Sequence, residues 1–115
     1  MADYQDAQER KTLLLRELDR IVKALKDDYG AQKIILFGSL ADGQIHEWSD
    51  IDLTVVRETD KKGPDRFIEV VDLCRWKVAT HVIVYTPEEF ERLEADPTSF
   101  LNTEVLSKGK VLYAA

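Results

Sequence analysis

Apolar residues recur at three- and four-residue steps early in the chain, at Leu14, Leu18, Ile21, Val22 and Leu25. That spacing predicts an amphipathic helix from about Asp6 to Tyr29, charged on its outer face and capped by Gly30. The pattern then changes. Lys33–Phe37 is short, continuous and rich in isoleucine, which predicts a buried strand. Leu40–Asp42 fits one helical turn, and Gly43–Ser49 is polar apart from Ile45 and Trp48. Ile51, Leu53 and Val55 alternate with Asp50, Asp52 and Thr54, a half-buried strand with one polar face. Glu58–Gly63 has no hydrophobic period and reads as a loop. Pro64 suits the first turn of a helix, which Phe67, Ile68, Val71, Leu73 and Cys74 continue to about Trp76. Thr80–Tyr85 predicts a third strand. Thr86-Pro87-Glu88-Glu89 combines an N-cap threonine, a proline at N1 and a glutamate at N3, opening a helix that should end near Asp96-Pro97. A last helix is expected over Thr98–Ser107, stopped by Gly109, before a short terminal strand at Lys110–Tyr113.

Helices and strands alternate, so the predicted class is α/β (α+β), a small mixed β-sheet flanked by helices. There is no repeat, low-complexity tract or linker, and the expectation is one domain over residues 1–115. Net charge is −6 and the basic residues are scattered. That argues against a direct nucleic-acid-binding surface, though a nucleotide needs only a local site. The single cysteine, Cys74, leaves no internal disulfide and fits a reducing cytoplasm. No segment approaches the roughly 20 apolar residues of a membrane span, and the polar, acidic N-terminus is no signal peptide. The expected location is cytoplasmic, without membrane contact.

The chemistry is densest between Lys33 and Val56. There the apolar run breaks at Gly38-Ser39, which after a strand offers backbone N–H groups and a hydroxyl to a phosphate. Taken alone the dipeptide is more often only a turn. Asp50 and Asp52 are two apart, so a strand directs both carboxylates to one face. Adjacent acids repel each other, and a bound cation is the usual reason to tolerate them. Ser49 before Asp50 is also compatible with simple turn chemistry. A phosphate cradle and an acid pair on neighbouring strands together point to nucleotide chemistry.

With Ala41, Gly43, Ile51 and Leu53 added, the ordered motif resembles the minimal nucleotidyltransferases of the DNA polymerase β-like superfamily. The resemblance extends to the preceding helix, the third strand, Tyr85–Phe90 and the ending Gly109-Lys110-Val111-Leu112-Tyr113. It implies the polymerase β-like fold, with Gly38 and Ser39 holding the phosphates of an NTP, ATP being the expected substrate. Asp50 and Asp52 would bind Mg²⁺, and a third acid on a later strand would complete the site. Two-metal phosphoryl transfer is the general logic: one ion readies the attacking oxygen and the other neutralises phosphate charge. At the position of the third acid, ahead of Val82–Tyr85, this chain has His81. Imidazole is a poor Mg²⁺ ligand and suits Mn²⁺ or Zn²⁺ better. His81 therefore joins the catalytic candidates as a general base, against the plainer reading of a strand-start histidine bonded to a neighbour. Asp42 stands where the family often has arginine, placing a repelling charge near the Gly-Ser loop.

Small members of this family are often antitoxins paired with a helical HEPN-domain toxin, and some transfer AMP to that toxin. The resemblance thus implies a metal-dependent enzyme moving AMP from ATP to a hydroxyl on a protein, with a HEPN-domain protein as partner. The departures at His81 and Asp42 keep a second reading open, a module that binds and neutralises its partner with little or no catalysis. A purely structural domain leaves the shared face of Asp50 and Asp52 unexplained. A homo-oligomer is also open. Elsewhere, His46 and Glu47 in the polar spacer are weaker candidates, Cys74 reads as core, and Trp48 and Trp76 read as core or interface packing residues rather than base-stacking ones.

Overall fold

The computed structural model describes the backbone of residues 2–115 and the side chains of residues 7–115. Its first element, α1, spans Ala2–Ala24 and continues into a π-helical turn, Leu25–Tyr29, closed by Gly30. Leu14, Leu18, Ile21, Leu25 and Tyr29 are all buried, forming the predicted apolar stripe of this helix. Each such leucine or isoleucine contributes roughly 1.5–3 kcal/mol by leaving water. Four strands follow: β1 (Lys33–Phe37), β2 (Ile51–Val56), β3 (Thr80–Tyr85) and β4 (Lys110–Ala114). They form one mixed sheet in the order β3-β2-β1-β4. β1 runs antiparallel to β2 and β4, while β2 and β3 are parallel. A parallel pair needs a crossover, and α2, the helix Gly63–Cys74, lies between β2 and β3 in the chain.

Strand alternation sorts the core into two layers. Ile34, Leu36, Ile51, Leu53, Val55, Val82 and Val84 pack with α1 and with Val70 and Cys74 of α2. Ile35, Phe37 and Val56 face the other way, onto Phe90 of α3 (Pro87–Glu94) and onto Leu101 and Val105 of the π-helical segment Leu101–Leu106. Asp52 belongs to this second face by alternation. The register sets it opposite Phe37 on β1 and His81 on β3. A single carboxylate is thereby placed between the end of one strand and the start of another.

Local signals explain most boundaries. The expected capping box is present: Glu89 N–H donates to Thr86 Oγ1 at 3.1 Å, and Thr86 N–H donates to Glu89 Oε1 at 2.9 Å. Gly109 follows the last helical segment where no side chain fits, since a Cβ there would lie 2.8 Å from Leu36 O. On the β3 edge, Arg66 donates to Val84 O at 3.0 Å and to both Glu89 carboxylate oxygens, occupying an edge carbonyl that would otherwise be free to pair.

The pattern left open which residues of α2 turn inward, and it overstated the last helix. Phe67, Ile68 and Leu73 are 42%, 55% and 38% exposed. Val70 and Cys74, four apart, turn inward instead, and Phe67 rests edge-on against Trp76 with ring centroids 5.8 Å apart. The last helix is shorter than the predicted Thr98–Ser107. Ser99 Oγ donates to Leu93 O at 2.8 Å and Asn102 Nδ2 to Glu94 O at 2.8 Å, so these side chains serve the orphan carbonyls of α3. Helical geometry resumes only at Phe100, with the π-helical hydrogen bonding over Leu101–Leu106.

Candidate active site

Gly38 follows β1 with φ 74° and ψ −162°, a backbone region that strains any residue carrying a Cβ. The space a Cβ would fill is taken by Asp52: an added Cβ would fall on Asp52 Oδ2 and lie 3.1 Å from its Cγ. Beside Asp52, at the matching position of the parallel strand, is His81. Its Nδ1 is 2.9 Å from Asp52 Oδ1. An ionised carboxylate can only accept, so Nδ1 carries the hydrogen and, in the neutral ring, Nε2 keeps a lone pair. The imidazole is 66% exposed and the Asp52 side chain 22%. Gly38, Asp52 and His81 therefore form one contiguous row with a reactive nitrogen open to solvent.

The spacer before β2 folds around a buried hydroxyl. Ser49 Oγ accepts from His46 N–H at 2.9 Å and lies 3.0 Å from Ser39 Oγ, while Ser49 N–H donates to His46 O at 3.0 Å. From α1, Arg10 Nε donates to Ser49 O at 3.0 Å, and a terminal nitrogen of the same guanidinium is 4.0 Å from Asp50 Oδ1. Ser39 Oγ spends its one donor on Ser49 Oγ, so the hydroxyl must turn from Ser49 to donate to a phosphate, and the backbone N–H groups after Gly38 are the donors that need no such turn.

Among the described residues, no three His, Cys, Asp or Glu side chains converge closely enough to hold one ion. Asp52 pairs with His81, and Asp50 with Arg10. This donor set does not suit a cation that demands a closed protein cage. It does fit Mg²⁺, which takes one or two carboxylates and fills its shell with water and substrate phosphates. Asp52 keeps Oδ2 after His81 has taken Oδ1, and the Asp50 carboxyl is about one-third exposed.

The row of glycine, acid and imidazole sits within residues 18–112, which match the nucleotidyltransferase domain family. The chain belongs to that family. It lies in the polymerase β-like superfamily and carries the transferase fold predicted for it. A relative from Methanocaldococcus jannaschii, named "putative protein adenylyltransferase", is 37% identical over 105 residues, covering 85% of this chain and 96% of that protein. The crystal structure of a "putative nucleotidyltransferase" from Sulfolobus solfataricus superposes with a TM-score of 0.68 at 20% identity. That match covers 95% of this chain and 87% of the other, and at that identity it concerns the fold.

Other candidates in this nucleotidyltransferase domain find plainer places. Asp42 Oδ1 accepts from Gln44 N–H at 2.9 Å, which turns the spacer and leaves the carboxylate its charge. His46 Nδ1 accepts from Trp48 N–H at 3.1 Å, so it braces the same spacer. Cys74 is buried, burial pushes its thiol pKa up, and it is core as expected. Trp76 packs against the main core as expected. Trp48, expected to pack in the core or at an interface, is 76% exposed and so lies outside the core: the spacer turns about Ser49 and leaves the indole outside. Two roles escape a sequence reading. Ser49 was legible as a turn residue and not as the centre of the spacer, and Arg10 carries no local signal, since its partner is 39 residues away. No helix among the described residues is long and apolar enough to cross a membrane.

Proposed function

We propose that this nucleotidyltransferase domain moves AMP from ATP to a hydroxyl on a protein. The observation that carries the reading is the contact between Asp52 and His81 beside Gly38, in a chain 37% identical to a protein named as an adenylyltransferase of proteins. In this reading Gly38 and Ser39 hold the phosphates, and Asp50 and Asp52 hold a divalent cation, Mg²⁺ or Mn²⁺. When bound, the cation supplies neutralisation of charge on the phosphates. The acceptor oxygen attacks the α-phosphorus, the bond from that phosphorus to the oxygen bridging to the β-phosphate breaks, and pyrophosphate leaves. The acceptor's proton passes to Nε2 of His81, whose Nδ1–H is oriented by Asp52. The acceptor considered first is the helical HEPN-domain protein that the family resemblance implies, in the cytoplasm.

One observation favours a second reading. The bond to His81 already satisfies one oxygen of Asp52 without any cation, as suits a module that binds its partner and transfers nothing. α-labelled ATP with Mg²⁺ or Mn²⁺, in lysate of the cell the protein comes from and with purified partner, separates the two. Transfer predicts a labelled protein band with wild type and none with Asp52→Asn. If the purified pair forms a complex but no label moves, the transfer reading fails and the binding module stands.

A further inference from the structure

We propose that Arg10 is a positioning residue of the active site, reaching from the first half of α1 to fix the peptide plane from which Asp50 emerges. The role given to Asp50 above is assumed; the contact itself is not. Arg10 precedes residue 18, where the match to the nucleotidyltransferase family begins, so the family comparison assigns it nothing. Its Nε lies 3.0 Å from Ser49 O. That carbonyl and the Asp50 N–H belong to one planar peptide unit, so holding the oxygen also fixes the plane that leads to the Asp50 Cα. Nε and a terminal nitrogen lie in the same rigid guanidinium plane, and the second of them is 4.0 Å from Asp50 Oδ1. One planar group therefore restrains both the backbone before Asp50 and the direction of its carboxylate.

The surroundings make this restraint matter. Ser49 is only 2% exposed, and a carbonyl left unpaired in such a place loses its hydrogen bond without full return of water. Glu9, Arg10 and Leu13 of α1 face Glu47 and Trp48 across an open cavity of about 300 Å³, so the spacer there does not close tightly on the helix. Arg10 bridges a junction that packing leaves loose. Lysine would carry the charge without the fork, and methionine would keep most of the stem with neither.

The test compares wild type, Arg10→Met, Arg10→Lys and a control on the same helix, Lys23→Met, whose ion pair with Asp27 is exposed. Three readouts are taken: amide hydrogen exchange across residues 45–52, Mn²⁺ affinity by electron paramagnetic resonance without nucleotide, and the half-saturating Mn²⁺ concentration for transfer. Arg10→Met is expected to speed exchange in 45–52 by about tenfold or more, the scale of one charge-assisted hydrogen bond. Mn²⁺ binding should weaken, and the half-saturating concentration rise, most in Arg10→Lys, which keeps the charge 4.0 Å from Asp50 and loses the fork; in Arg10→Met the removed repulsion offsets part of the loss. Arg10→Lys should recover only part of the exchange protection, and Lys23→Met should match wild type. Unchanged exchange and Mn²⁺ affinity in Arg10→Met would overturn the proposal, as would exchange that quickens equally along all of α1. If Arg10→Met does not fold, Arg10→Lys decides by the same criterion. A wild-type protein that neither binds Mn²⁺ nor transfers AMP sinks the function reading, while the exchange comparison still decides whether Arg10 holds the turn.

Discussion

Gly38→Ala is the substitution that most directly tests the geometry of the site. Two costs are separable. The backbone at φ 74° and ψ −162° strains a residue with a Cβ by about 1–3 kcal/mol. The new methyl would also occupy the place of the Asp52 carboxylate, which must swing away and lose its 2.9 Å bond to His81, a further cost of roughly 1–2 kcal/mol. The total, about 2–5 kcal/mol, is a large share of a typical domain's stability of about 5–15 kcal/mol. Urea unfolding measures it through the shift of midpoint at constant slope. Gly30→Ala shows positive-φ strain without a clash and sets a lower bound on the backbone cost, since φ is 79° and ψ 33° there, the milder left-handed region, and nothing lies within 4 Å of an added Cβ. A double-mutant cycle isolates the clash. In an Asp52→Ala background the carboxylate is gone, so Gly38→Ala should cost about 1–2 kcal/mol less than in wild type. Additivity of the two substitutions within about 0.5 kcal/mol would refute the claim that Gly38 is glycine because Asp52 needs its space.

Arg66 and Glu17 offer two more tests, both away from the chemistry. Arg66 holds Lys61 O, Val84 O and the Glu89 carboxylate with its side chain 11% exposed, so Arg66→Met should lower stability by about 2–3 kcal/mol and raise the tendency to associate through the β3 edge, read by denaturation and light scattering. Glu17 is buried against Arg20 and the Lys77 N–H, and its hydrogen bond to Arg20 holds its pKa below the ordinary glutamate value of about 4.3. A depressed carboxyl pKa stabilises the fold above that unfolded value and stops doing so as pH falls through the folded one. Glu17→Gln should therefore lower the urea midpoint at pH 7, and its deficit against wild type should close as pH falls below the ordinary glutamate range; a deficit that does not change with pH removes the charge from the explanation.

The parts of the fold that were legible in the sequence are those encoded by neighbours in the chain. The α1 stripe, the four strands and the Thr86–Glu89 cap depend on periods and caps within a few residues, and the structure has them at or near their expected bounds. What was not legible depended on contacts made at a distance. Which residues of α2 turn inward is set by the sheet, which takes Val70 beside the expected Cys74 and leaves Phe67, Ile68 and Leu73 exposed. Whether Trp48 belongs to the core is not written in the spacer either: Ser49 turns it so that the indole lies outside. The motif residues Gly38, Ser39, Asp50, Asp52 and His81 could be named in advance, but not which of them touch. That depends on strand register, which pairs Asp52 with His81 across 29 residues, and on Arg10, which no spacing links to Asp50.

That register also explains how the fold tolerates a histidine where the family resemblance leads one to expect an acid. A carboxylate at position 81 would stand beside Asp52 as a second negative charge, and without a cation the two would repel. Imidazole reverses the sign of that interaction: it donates to Asp52 and satisfies the row from within the protein. Under the proposed transfer the exchange would have a cost at the metal, because one negative charge fewer would face a cation held by Asp50 and Asp52. It would also bring a gain at the acceptor, because Asp52 now orients a nitrogen able to accept a proton. The same bond thus weakens the case for strong metal binding and strengthens the case for a protein base. A site built this way should depend on the phosphates of its substrate to complete a cation's shell, which is the manner in which Mg²⁺ is ordinarily held beside a nucleotide.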